Sequence, residues 1–118
     1  MSAPTVKDSP FDYDELLARC AGQPALVKRA LSTFQGTLSE DLLHLQHACE
    51  TNDVEEVQRL AHRIKGASAN ASAKLLHKAG LELELCCKFD PASITRMLQR
   101  VQCEAENLTN YLASQSLV

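Results

Sequence analysis

At 118 residues the chain has the length of one domain, with room for a core. Hydrophobic residues make up 45% and charged residues 23%, an ordinary globular composition, and a formal net charge of −3 counts against nucleic-acid or anionic-membrane partners, which call for a basic face. No apolar run approaches the roughly 18 residues of a membrane span and no signal-peptide core is present, so no membrane contact and a cytoplasmic location are expected.

Four glycines and four prolines favour long helices over many turns, and aromatics at 4% leave a core of Leu, Ala and Val. Residues 1–9 are polar, contain Pro4 and show no periodicity; a flexible tail is expected there, with one domain over 10–118. Ser9-Pro10, or Asp12 with Glu15, can start a short helix through Leu16, Leu17 and Cys20 that stops near Gly22. Pro24 suits the first turn of a long helix. Its stripe is Val27, Leu31, Phe34, Leu38, Leu42, Leu45 and Cys49, spaced by four and three, and it should run past Gly36 to about Glu50.

Asp53 with Glu56 has the form of a capping box and opens a helix over Asp53 to Ala69. Val54, Val57, Leu60, Ala61, Ile64 and Ala67 or Ser68 form its buried stripe. At about 100° per residue, His62 lies roughly 150° from the centre of that stripe and should face water. Lys65 follows at i+3, and Gly66 at i+4 on the same face. Glycine inside a helix costs about 1 kcal/mol relative to alanine. A bare turn there would let another surface approach the imidazole, and Ala69 at i+7 continues the low strip. Imidazole is a nucleophile near neutral pH and can carry a covalent intermediate. A neighbouring lysine suits a phosphoryl group, whose charge needs compensation in product and transition state.

The small segment Ser68 to Ala73 suits a tight connection or a closely packed helix crossing. Leu76, Ala79, Leu83 and Cys86 or Cys87 then mark a fourth helix. Leu81-Glu82-Leu83-Glu84-Leu85 alternates as a strand would, but its flanks keep helical spacing and no second strand exists to pair with it. Asp90-Pro91 reads as an N-cap with proline at the first helical position, opening the last helix. That helix buries Ile94, Met97 or Leu98, Val101, Ala105, Leu108 and Leu112. The economical architecture is all-α: an up-down antiparallel four-helix bundle with a short extra N-terminal helix.

His62-x-x-Lys65-Gly66, the small Ala/Ser segment after it, then Leu76 and Leu83-Glu84, resemble the signature of histidine-containing phosphotransfer (HPt) domains, the relays of multistep phosphorelays. The stretch from Phe11-Asp12 to Phe34 resembles the leader of such modules in hybrid sensor kinases, and the likeness covers about Phe11 to Leu112. Ser72-Ala73 departs from the Gly-Ala common in that family, which bears on the shape of the turn. The resemblance implies that His62 accepts a phosphoryl group from a receiver-domain aspartate and passes it to another receiver. Lys65 would neutralise the phosphate and Gly66 give steric access. The implied partners are response-regulator receiver domains and a hybrid histidine kinase, the receiver bringing Mg²⁺, with no cofactor of the chain's own. A monomer is expected. No Gly-rich phosphate loop is present, so autophosphorylation from ATP is not expected.

Glu84 stands where the family tends to place a carboxylate or amide against the imidazole; the alternative is a solvated glutamate beside Lys88. Lys88 is a second candidate phosphate cation, or an ordinary surface lysine. Gln58, one turn before His62, is a candidate partner contact, as are Ala69, Leu81 and Lys88. Leu81 and Leu85 fall off the inner stripe, either as an apolar docking patch or buried by a second neighbour. His77 lacks a following Lys-Gly and reads as solvated. Asp41, His44 and His47 lack the paired Glu-x-x-His motifs of a metal-binding bundle, so no metal site is assigned. Five cysteines, without C-x-x-C spacing, read as reduced thiols. Two other functions fit less well: a non-catalytic helical adapter that docks a receiver or kinase domain, and a metal or redox bundle.

Overall fold

The computed structural model describes residues 9–118. Of the expected tail, 1–8 lie outside the described residues; Ser9 donates its hydroxyl to the Phe11 carbonyl at 2.9 Å. The described residues form five α-helices and a single 3₁₀ turn, with no strand: α1 (Tyr13–Arg19), α2 (Pro24–Glu50), α3 (Val54–Asn70), α4 (Lys74–Phe89) and α5 (Ile94–Ser114).

Two helix starts follow directly from side-chain chemistry. Asp12 accepts the Glu15 N–H at 3.1 Å, and Asp53 accepts the Glu56 N–H at 3.2 Å. Each satisfies an amide that the helix itself leaves unpaired. Proline opens α2 in place of a side-chain cap. The alternating Leu81–Leu85 stretch is helical, inside α4. The start of the last helix differs from the sequence expectation. The Asp90 carboxylate accepts the Ser93 hydroxyl at 2.6 Å instead of a backbone amide, and Pro91–Ser93 make a 3₁₀ turn before α5 begins at Ile94. A serine hydroxyl within reach competes with backbone donors for a carboxylate.

Neighbouring helices in the chain pack on one another, α2 on α3, α3 on α4 and α4 on α5, and α5 returns against α2. Leu31 and Leu45 of α2, Leu60 and Ile64 of α3, Leu76 and Leu83 of α4, and Leu108 and Leu112 of α5 are almost wholly removed from water. Each such side chain contributes about 1.5–3 kcal/mol of transfer free energy. On α2 the stripe is displaced: Asp41 and Ala48 are buried, while Leu42 and Cys49 are half-buried. A helix with two neighbours buries a wider arc than one, and the sequence stripe covers only its middle.

The α3–α4 contact is the most extensive between any two helices, and Gly80 explains it. A Cβ at Gly80 would stand 3.1 Å from the Lys65 backbone nitrogen, 3.2 Å from its Cα and 3.4 Å from the Ala61 carbonyl oxygen. Only a residue without a side chain lets the helices meet this closely.

α1 lies over the α3–α4 turn. Arg19 donates to the carbonyls of Ala69 and Asn70 at 2.7 and 2.9 Å, capping the exposed end of α3 with positive charge. The Asp12 amide donates to the Ser72 carbonyl at 3.0 Å, and the Ser72 hydroxyl to Glu15 at 2.9 Å. Ser72 has φ +59°, the left-handed region glycine enters freely and serine does not. Here a fully buried serine is held in that conformation by one bond accepted from the Asp12 amide and one donated to Glu15.

Candidate functional site

The α3 stripe faces inward as its spacing requires, so His62 emerges on the outer side with 67% of its side chain exposed. Its Nδ1 lies 2.7 Å from Glu84 Oε2 across the α3–α4 seam. Lys65 Nζ donates to the other carboxylate oxygen, Oε1, also at 2.7 Å. Glu84 is buried at 8% exposure, so this carboxylate is shared between two partners and little water. Burial pushes its pKa up, but the hydrogen bonds from Lys65 and His62 outweigh that and hold it below its ordinary value. An ionised carboxylate can only accept, so Nδ1 carries the proton and, in the neutral ring, Nε2 keeps its lone pair.

Gly66 is exposed, and a Cβ there would meet no atom within 4 Å. Nothing inside the bundle calls for glycine at this turn; the space it leaves opens outward, beside the imidazole. Gln58 is half-buried and joins Glu55, Arg59, Arg63, His62 and Glu84 around one shallow depression. Ala69 is half-buried under the Arg19 cap. Leu81 is half-buried, while Leu85 and Phe89 are exposed, so an apolar stripe runs along the outer side of α4. Lys88 is exposed and forms no ion pair with Glu84; the carboxylate takes Lys65 of the neighbouring helix, which overturns the picture of a solvated glutamate beside Lys88.

Four features escaped the sequence reading. Gly80 sets the closeness of α3 and α4. Arg63 pairs at 3.3 Å with Asp41, whose carboxylate is buried on α2, and Arg59 chelates Glu56 with Nε at 3.0 and 3.1 Å from its two oxygens. His77 is half-buried, not solvated: its Nδ1 lies 3.0 Å from the Lys65 carbonyl oxygen, to which it must donate. The small residues Ala61, Ala79 and Gly80, with the small segment from Ser68 to Ala73, are what the sequence shows of the close crossing. Asp41 is therefore a partner of Arg63, and among the described residues no group of three or more His, Cys, Asp or Glu side chains converges on a metal position. The cysteines are unpaired, and burial pushes the Cys87 thiol up to about 11.

Comparison with known families matches the Hpt domain over residues 29–115. The chain belongs to the Hpt domain family. Hpt domains carry out histidine phosphotransfer in phosphorelays and interact with receiver domains. Neither curated proteins nor solved structures gave a match. In this Hpt domain the matched span takes in α3 with His62 and α4 with Glu84, and leaves α1 outside it. Among the described residues no helix is long and apolar enough to cross a membrane.

Proposed function

We propose that this domain is a phosphorelay intermediate in which His62 is the phosphoacceptor. The Nε2 lone pair attacks the phosphorus of an aspartyl phosphate on a receiver domain; the P–O bond to that carboxylate breaks and its electron pair leaves with the carboxylate. The ring becomes an N-phosphorylated imidazolium, its Nδ1–H still directed at Glu84. Attack by the aspartate of a second receiver reverses the step and frees the neutral ring. The observation that supports this reading is the 2.7 Å contact between His62 Nδ1 and Glu84, which fixes the nucleophilic nitrogen and places a negative charge where the ring becomes positive.

Lys65 keeps Glu84 ionised and adds positive charge to the phosphate-bearing face, while Gly66 leaves clearance for the partner. Gln58, Ala69, Leu81 and Lys88 form the rim against which a receiver would sit. The partners are the receiver domains of response regulators and of a hybrid histidine kinase, meeting a monomer in the cytoplasm, and the receiver supplies Mg²⁺. The helices run up and down as an antiparallel four-helix bundle with α1 as the extra element. Incubation with a ³²P-labelled receiver tests the reading. Label should move to this chain in acid-labile, base-stable form and be lost in His62→Gln. A chain that binds the receiver without ever taking up label is an adapter, and the relay reading then fails.

A further inference from the structure

Three cations surround His62, and each is tied to a carboxylate: Lys65 to Glu84, Arg63 to Asp41 and Arg59 to Glu56. They differ in how firmly they are held. The Glu84 and Asp41 side chains are only 11% and 6% exposed, so releasing either cation would strand a buried charge. Glu56 is 35% exposed and Arg59 54%, and water can replace the guanidinium there at little cost. Of the three, Arg59 is the exchangeable one.

Direction selects the same residue. The two nitrogens of an imidazole point nearly opposite ways in the ring plane. With Nδ1 drawn across the seam to Glu84, Nε2 faces away from α4, and hence away from the Lys65–Glu84 pair. At about 100° per residue, Arg59 at i−3 and Lys65 at i+3 flank His62 on opposite sides; Lys65 is on the flank packed against α4, so Arg59 is on the other, and it lines the same depression as the ring. Given His62 as the phosphate carrier, and resting on that reading, we propose that Arg59 is the phosphate-binding cation of this domain, leaving Glu56 to form charge-assisted hydrogen bonds with the phosphoryl oxygens on Nε2. Lys65 stays hydrogen-bonded to Glu84 and adds its charge to that face without itself touching the phosphoryl group.

Guanidinium and phosphoryl group suit each other geometrically, since two parallel N–H donors match two oxygens. No bond forms or breaks beyond the phosphoryl transfer itself; Arg59 exchanges one anionic partner for another.

Phosphoramidate, a small phosphoryl donor to histidine, tests the assignment without any receiver. The purified chain is treated with it, His62→Gln serving as the blank for other histidines, and phosphoimidazole is followed by ³¹P NMR beside the arginine Nε–H signals. On phosphorylation the Arg59 Nε–H signal should shift. Arg59→Gln should slow phosphorylation of His62 by about tenfold, the scale of one charge-assisted hydrogen bond, with Arg59→Lys recovering part of the loss. Glu56→Gln, which frees the guanidinium, should speed it. An unmoved Arg59 signal, or an Arg59→Gln rate within about twofold of the unmodified chain, overturns the proposal. Because the donor is a small molecule, an Arg59 effect that persists while every receiver fails to transfer would count against the relay and not against this contact.

Discussion

His62 and His77 sit on opposite sides of the same α3–α4 seam, and each gives its Nδ1 proton to the facing helix. His62 donates to a carboxylate at 2.7 Å, His77 to the Lys65 backbone carbonyl at 3.0 Å. The acceptors differ in charge. A carboxylate supports an imidazole that becomes cationic when its other nitrogen is phosphorylated; a neutral carbonyl fixes the tautomer and gives much less support. Their surroundings differ as well. His62 opens on the bare turn at Gly66, whereas His77 is half-buried over the crossing at Gly80. Two rings with one hydrogen-bonding pattern thus differ in the chemistry they could support, since His62 pairs an anionic acceptor with a mostly exposed ring and His77 has a neutral acceptor and a half-buried one.

The sharpest test of that contrast exchanges the two histidines for glutamine. His62→Gln should remove all phosphate uptake from a receiver, and His77→Gln should leave uptake intact while costing less than about 1 kcal/mol in a denaturation curve. Glu84→Gln keeps an acceptor for Nδ1–H but removes the charge, so transfer to His62 should slow by about tenfold. If it does not slow, tautomer selection alone is what the seam provides. Gly80→Ala forces a methyl against the Lys65 backbone and should cost about 1–3 kcal/mol of stability, since the atoms it meets are main chain and cannot swing aside.

Acid should weaken the seam in a defined direction. The Glu84 pKa is lowered in the folded state from an ordinary value of 4.5, so its stabilising contribution is fully present above that value. It is lost as pH falls through the lower, folded-state pKa. Melting curves should therefore show a drop below about pH 4.5 that is smaller in Glu84→Gln. The smallest effect belongs at the far end of α3: Arg19→Gln removes a cation from exposed carbonyls and should cost about 0.5–1 kcal/mol.

Much of this seam was legible in the sequence. The Asp53 cap and the stripe from Val57 to Ile64 fix how α3 is rotated, and so fix that His62 faces outward. Periodicity says which face of a helix is buried; it does not say how far one helix slides along the next. The partner of Glu84 depends on that slide, which Gly80 sets by letting Lys65 approach, so periodicity alone does not choose between His62 and Lys88 for it. Asp41 was obscured for a related reason. It is a charged side chain beside an apolar stripe, and its burial is decided by Arg63 on another helix.

Ser72 ties the end of the histidine helix to residues some sixty positions earlier, through the Asp12 amide and Glu15. Those two bonds make the α3–α4 turn and α1 one structural unit. In the native state, the amides of Ala71 to Ala73 should exchange with solvent deuterium in step with those of α1, linking two stretches that neither chain order nor the family match joins.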